Sequence, residues 1–222
     1  MKRNLATLLI LALALTGLFA QSVTYRYTET CGTASGECVT TLTWNAATER
    51  IIIDAEDSAI GESHLIVTDK NGATDSWKCR YPDGDVKIFT RKGNSIEISL
   101  NGGSPVQAKG KLDSSPWYAT MDFSLSRFLA GGGTETTFWT VSPENGKTYK
   151  MKATKMKEEN ITVGGKQEKA VRVQVTANDV PAVFFSINYW YRESDSLFLK
   201  FEGTRGGPGT PKYVIELADE GR

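Results

Sequence analysis

The residues best suited to acid–base or nucleophilic chemistry are few. His64 is the one histidine of the chain, and it lies in an ordinary strand pattern with no G-x-S-x-G sequence nearby. A hydrolytic triad, which needs a base beside its nucleophile, is therefore not indicated. Asp54, Glu56 and Asp57 form a carboxylate cluster that could seed a calcium site or an acid–base pair. Their spacing departs from that of a calcium loop, which favours a solvated turn.

The three cysteines are the next candidates. Cys31 and Cys38 flank a turn-rich loop, so we predict a disulfide between them in an oxidising compartment. Three unpaired thiols are the alternative, because spacing does not fix geometry. Cys79 would be free and buried. No metal site is predicted, because the chain has no CxxC pair and His64 has no partner at metal-ligand spacing.

Glycines near the C-terminus resemble a phosphate-binding loop in composition alone. The segment GTRGGPGTP, residues 203–211, lacks both GxxxxGK[ST] and a strand–GxGxxG–helix context. Glu193 and Asp195 lie in a predicted hairpin turn, where acidic residues are common. Backbone conformation explains these residues, and no cofactor is predicted.

Large aromatic side chains in the C-terminal half are the remaining candidates. They could line an apolar pocket for a lipid or another hydrophobic ligand. They could equally fill a core, which is the commoner fate of large aromatics. The eight residues of this candidate ligand surface are Trp117, Phe128, Phe184, Tyr189, Trp190, Tyr191, Phe198 and Phe201.

Short alternating strands must position these residues. From Glu62 to Leu100, such strands are separated by turns with Asn-Gly and Asp-Gly, a pattern typical of an antiparallel meander. Residues 116–133 (PWYATMDFSLSRFLAGGG) form the one candidate helix, because apolar residues recur at helical spacing and glycines follow. We expect this helix to plug or brace the sheet.

Strands dominate the whole pattern. Val183 to Tyr191 has bulky residues on both faces, which indicates a central strand or one that lines a ligand cavity. No helix–strand alternation suggests parallel units. The predicted fold is all-β: a large curved antiparallel sheet or half-open β-barrel with one short helix on its concave side. A two-sheet sandwich is the competing architecture.

The N-terminus predicts the compartment. Residues 1–20 have a basic start, an apolar run from Leu5 to Leu15 and a small residue before Gln21, which is the pattern of a secretory signal peptide. Residues 21–222 are expected to form a single β domain without a transmembrane span, periplasmic or secreted. Without the two basic residues of the signal, 26 basic residues become 24 against 26 acidic ones, a net charge of −2. Nucleic acid is therefore not an expected partner.

Three segments together resemble an exported bacterial family. They are the helix segment, ENGKTYKMKATKMKEENITVGGKQEKAVRVQV and the final YWYRESDSLFLKFEGTRGGPGTPKYVIEL, and they cover Trp117 to Leu217. They are similar to the family catalogued as domain of unknown function 3108, whose members place a V-x-G turn before an alternating valine strand and end in a YWY…D…L hairpin and an x-x-I-x-L strand. The resemblance implies a half-open barrel similar to LolA-type and LolB-type lipoprotein carriers, which hold acyl chains on a concave apolar surface. It implies no catalytic residues.

These observations predict a non-enzymatic exported β domain. Its concave face would bind a hydrophobic small molecule, such as a lipid, or a protein partner of the cell envelope. One alternative is a structural or assembly protein of the envelope. Another is a hydrolase that uses the carboxylates of Asp54, Glu56 or Asp57.

Overall fold

The computed structural model of the protein describes residues 21–178, 185–204 and 211–221. Three predictions concern residues outside these ranges: the signal peptide, the candidate ligand residue Phe184, and most of the glycine-rich bend. Within the described ranges, no helix has both the length and the apolar character needed to cross a membrane.

In the described residues, fourteen strands form one sheet in which every neighbouring pair is antiparallel. Their order is β8-β7-β6-β5-β4-β3-β2-β1-β14-β13-β12-β11-β10-β9. This continuous order confirms the all-β prediction of a single large sheet and excludes the two-sheet sandwich. The strands are β1 Gln21–Cys31, β2 Ala34–Asn45, β3 Arg50–Asp57, β4 Glu62–Asp69, β5 Thr74–Arg80, β6 Val86–Lys92, β7 Ser95–Leu100, β8 Val106–Gln107, β9 Glu135–Val141, β10 Thr148–Val163, β11 Lys166–Ala177, β12 Ile187–Arg192, β13 Phe198–Thr204 and β14 Lys212–Glu220.

The two edge strands, β8 and β9, do not pair with each other. Residues 108–119, which follow β8 and precede the helix, bridge the two edges of the sheet instead. At one end Ala108 N donates to Ile96 O at 2.7 Å, and at the other Trp139 N donates to Pro116 O at 2.8 Å. The sheet is therefore curved so that its edges approach each other without closing into a barrel.

Alternation along the strands gives the sheet an apolar inner face. Trp77 of β5 lies opposite Phe89 of β6, and these side chains belong to a core cluster of the N-terminal strands. Val173 of β11 lies opposite Tyr189 of β12 in a second core cluster of the C-terminal strands. The core thus follows the inner face from one edge of the sheet to the other.

The predicted helix is present as α1, Met121–Ala130. Leu125 is fully buried and packs in the C-terminal core cluster. The Tyr191 hydroxyl donates to Met121 O at 3.0 Å, and Ser124 Oγ donates to Gly72 O at 2.7 Å. These contacts hold the helix between β12 and the turn that follows β4, which confirms that it braces the sheet.

The predicted Cys31–Cys38 disulfide is wrong. A two-residue turn joins β1 to β2, so Cys31 pairs with Ala34 and Cys38 pairs with Tyr27. Four residue pairs along the hairpin correspond to about 13 Å, whereas a disulfide requires Cα atoms within about 7 Å. All three cysteines are free thiols.

Candidate functional site

Four of the predicted ligand residues fill the core of the C-terminal strands. Tyr189, Tyr191, Phe198 and Phe201 are each at most 8% exposed. The ring centroids of Tyr189 and Phe201 lie 4.9 Å apart, and those of Tyr191 and Phe198 lie 5.8 Å apart. These distances are typical of packed aromatic pairs. The rings contact one another, so the structure supports the filled-core alternative for them.

Of the remaining residues, Trp190 belongs to the same core cluster and Phe128 packs against it, whereas Trp117 belongs to the other cluster. Trp117 is fully buried in the N-terminal core cluster, and Phe128 is half-buried on α1. The Trp190 indole donates to Glu159 Oε1 at 2.8 Å, and alternation along β12 places it on the face opposite Tyr189. Phe184 is outside the described residues. Among the described residues, Trp117 therefore lies in a different core cluster from the other predicted residues, and Trp190 lies on the other face of β12 from Tyr189.

An open apolar cleft lies elsewhere on the inner face, between the first three strands and α1. Its volume is about 650 Å³, within the range of roughly 300–1,000 Å³ typical of small-molecule sites. Register places Val23 opposite Leu42 and Trp44 opposite Ile51, so their side chains share one face. Phe123, in the first turn of α1, completes the apolar wall.

Two cations border this cleft. Lys70 follows β4, and Arg127 lies in the last turn of α1. Arg127 Nε donates to Lys70 O at 3.0 Å, which places both residues at the same side of the cleft. Within the described part of the chain, neither side chain forms an ion pair with a carboxylate. Apolar walls with two such cations can accommodate an apolar chain that ends in an anionic group.

A second part of the inner face carries two buried carboxylates. The Tyr213 hydroxyl donates to Glu29 Oε2 at 2.7 Å and lies 3.4 Å from Asp57 Oδ2. Glu29 and Asp57 are 1% and 4% exposed. Cys38 is close by, and burial, followed by the charge of Glu29, raises the pKa of its thiol to about 12.

The carboxylates of the cluster predicted from the sequence lie on opposite faces of the sheet. Asp57 is the last residue of β3 and is buried, so its assignment to a solvated turn is wrong. Asp54 and Glu56 are exposed on the same strand. Asp54 and Asp57 are three residues apart in a strand, so they point to opposite faces. The three carboxylates do not converge as an acid–base pair requires.

His64 has neighbours that the sequence analysis missed. It lies opposite Cys79 across the β4–β5 hairpin. Its Nε2 is 3.5 Å from Glu62 Oε2, and Cys79 Sγ is 4.0 Å from the same oxygen. Cys79 is buried as predicted, and burial raises the pKa of its thiol to about 11. The conclusion that His64 has no partner at metal-ligand spacing is therefore wrong.

The sequence of the β4–β5 hairpin contains a signal that could have predicted the cluster of Glu62, His64 and Cys79. The Asn71-Gly72 turn predicts antiparallel pairing of the strands on either side. When residues are paired outward from that turn along the two strands, His64 falls close to Cys79. Glu62 is two residues from His64, so it lies on the same face of the hairpin. No comparable local signal identifies the apolar cleft, because its walls come from three strands and a helix.

Comparison with solved structures places the chain among β-barrel-like folds. It is similar to a β-barrel-like protein of the domain of unknown function DUF1849 from Brucella abortus, with a TM-score of 0.58 and 11% identity over 90% of this chain and 97% of that one. This likeness shows a shared fold.

Two further solved structures align over most of the chain at lower TM-scores. A LolA superfamily protein from Nitrosomonas europaea has a TM-score of 0.31 and 11% identity over 92% of this chain and 86% of that one. A DUF1329 family protein from Desulfovibrio piger has a TM-score of 0.28 and 11% identity over 95% and 90%. No family model matches, so the resemblance to domain of unknown function 3108 is not confirmed. No curated protein matches either.

Proposed function

We propose that the protein is a non-enzymatic, exported binding protein for an amphiphile with an apolar chain and an anionic headgroup, such as a fatty acid. The ligand binds in the cleft between β1–β3 and α1. The observation that carries the proposal is the combination, in one open cleft, of an apolar wall and two cations that form no ion pair with any described residue. The chain lies along the wall, and the headgroup meets Lys70 and Arg127.

The chemistry of the cleft supports binding rather than catalysis. Val23, Leu42, Trp44 and Ile51 carry no nucleophile, acid or base. Asp54 and Glu56 are exposed, and Asp57 is buried against Tyr213, which argues against the carboxylate hydrolase. Export is proposed from the signal-peptide pattern of residues 1–20, and it would give the protein access to envelope lipids.

Titration of the purified protein with palmitate and with its uncharged analogue hexadecanol tests the proposal. Trp44→Ala removes the largest side chain of the wall, which corresponds to about 1.5–3 kcal/mol of apolar burial. We expect it to weaken both ligands by about 10- to 100-fold. Leu65→Ala is the control, because Leu65 is a large apolar side chain 41% exposed on β4. Equal affinities of the wild type and Trp44→Ala would contradict the assignment.

The two cations are tested separately. The double variant Lys70→Gln and Arg127→Gln should weaken palmitate by about fivefold while leaving hexadecanol unchanged, because surface charge pairs contribute up to about 1 kcal/mol. The double variant Lys78→Gln and Arg80→Gln, which alters two exposed cations of β5, serves as the charge-matched control. A Lys70→Gln and Arg127→Gln double variant that still prefers palmitate to hexadecanol by the wild-type ratio would exclude these cations as the headgroup site.

A further inference from the structure

We propose that Glu62, His64 and Cys79 form a binding site for one divalent transition-metal ion, and that Zn²⁺ fits their chemistry best. The site lies on the inner face of the β4–β5 hairpin. It does not depend on the function proposed for the apolar cleft. One atom from each of the three side chains lies within 4.8 Å of the other two.

The hairpin positions the three ligands at nearly the spacing that zinc requires. Tetrahedral zinc with bonds of about 2.0–2.3 Å holds its ligand atoms about 3.3–3.8 Å apart. Glu62 Oε2 is 3.5 Å from His64 Nε2 and 4.0 Å from Cys79 Sγ. Small side-chain rotations therefore suffice to close the three atoms around an ion.

The ligand types select the ion. A thiolate, an imidazole and a carboxylate together suit a borderline metal such as zinc, whereas Ca²⁺ and Mg²⁺ prefer oxygen ligands alone. Three protein ligands leave the fourth position of a tetrahedral ion for water. The side chains of His64 and Glu62 remain 20% and 24% exposed, so an ion can enter from solvent.

The neighbouring residues are compatible with a bound cation. Lys87 lies opposite Cys79 in the β5–β6 register. Its Nζ donates to Pro143 O at 2.8 Å and lies 5.0 Å from the centre of the Tyr81 ring. These interactions give the ammonium group its own partners, so it does not have to occupy the position of the metal.

Metal binding must change one hydrogen bond. The Trp77 indole N–H donates to His64 Nδ1 at 3.3 Å. When Nε2 binds a metal, the proton of the neutral imidazole is on Nδ1, where it faces the indole N–H. Two donors cannot share a hydrogen bond, so the Trp77 contact opens. The Trp77 indole proton therefore reports occupancy of the site.

The experiment is a zinc titration of the chelator-treated protein by calorimetry, with native mass spectrometry to count bound ions. We expect one ion per chain. Cys79→Ser, His64→Gln and Glu62→Gln should each lose at least about 10- to 100-fold in affinity, since even outer-shell changes have effects of that size. Cys38→Ser, which replaces another inner-face cysteine, is the matched control and should bind zinc like the wild type.

Two spectroscopic measurements keep the test decisive if Cys79→Ser folds poorly. Co²⁺ should give thiolate-to-metal charge-transfer absorption in the wild type and Cys38→Ser, and none in Cys79→Ser. Zinc should shift the NMR signal of the Trp77 indole N–H, assigned by its loss in Trp77→Phe. The absence of one-to-one binding in the wild type, or unchanged zinc affinity in folded His64→Gln, would overturn the proposal.

Discussion

Two of the thiols lie in surroundings that keep them protonated. Burial raises the pKa of Cys38 to about 12 and that of Cys79 to about 11. For Cys38 the neighbouring carboxylate of Glu29 adds to the effect. Only the thiolate is a strong nucleophile. Both residues should therefore be inert as nucleophiles in the folded, metal-free protein.

Alkylation tests this expectation. In the presence of a chelator at neutral pH, iodoacetamide should label Cys38 and Cys79 at least about 100-fold more slowly in the folded protein than in urea, because the thiolate fraction falls by about two orders of magnitude or more. Mass spectrometry of the labelled peptides measures each rate. Labelling of folded Cys38 as fast as in urea would show that burial does not keep this thiol protonated.

Tyr27 and Tyr191 make stability depend on alkaline pH. Burial raises the pKa of both hydroxyls well above the ordinary value of 10.0. Above about pH 10 the unfolded chain loses these protons while the folded protein keeps them, so the free energy of unfolding falls as the pH rises. Below that pH both states are protonated, and these residues contribute no slope.

Tyr191→Phe should make that decline shallower, because one buried hydroxyl no longer titrates. Urea unfolding between about pH 8 and pH 11 measures the slope. Tyr149→Phe, at a tyrosine that is 43% exposed, is the control. A decline as steep in Tyr191→Phe as in the wild type would contradict the role of burial.

At the scale of elements, the position of α1 depends on the β4–β5 turn. Gly72 has a φ of +88°, and a Cβ there would lie 2.9 Å from Ser124 Cα on the helix. Gly84, in the β5–β6 turn, has a similar φ of +91° but nothing within 4 Å of such a Cβ. The two glycines therefore separate the cost of backbone strain from the cost of displacing the helix.

Replacement of each glycine by alanine measures both costs. Gly84→Ala should lower the free energy of unfolding by about 1–2 kcal/mol, because a left-handed residue other than glycine is strained. Gly72→Ala should lower it by at least about 1 kcal/mol more, because the added methyl group also overpacks the helix contact. Urea denaturation provides both values. Equal losses of unfolding free energy in the two variants would mean that close packing of α1 against Gly72 contributes nothing to the cost.

Local elements were the part of the fold that could be predicted from the sequence. Strands β4 to β7 alternate regularly between glycine-containing turns, and the helix combines periodic apolar residues with a glycine stop, so each carries its own signal. The Cys31–Cys38 prediction failed because the turn between β1 and β2 is shorter than the loop that was assumed. The register of the β1–β2 hairpin determines which residues of the two strands lie opposite each other.

At the scale of the whole molecule, long-range pairing determines the site. β1 pairs with β14, so the first and last of the described strands lie beside each other within the sheet. The cleft combines residues of β1, β2 and β3 with α1, which lies above these strands. Such contacts join residues far apart in sequence and leave no local pattern, so Trp44 and Phe123 could be assigned to a strand and a helix but not to a common wall.

The aromatic residues show the same limitation. Their types and alternation indicated burial correctly, as the low exposure of Tyr189 and Tyr191 shows. Whether buried rings border a cavity or contact one another depends on packing across the whole sheet. The apolar surface left open for a ligand is formed by other residues, namely Val23, Leu42, Trp44, Ile51 and Phe123.

The most direct test of the proposed function is a crystal structure of the protein with a fatty acid that carries bromine on its terminal carbon. The anomalous signal of bromine locates the end of the chain without ambiguity. We predict one bromine peak within the wall formed by Trp44, Ile51 and Phe123, and a carboxylate beside Arg127. A bromine peak elsewhere, or a cleft that holds no fatty acid at saturating concentration, would contradict the proposal.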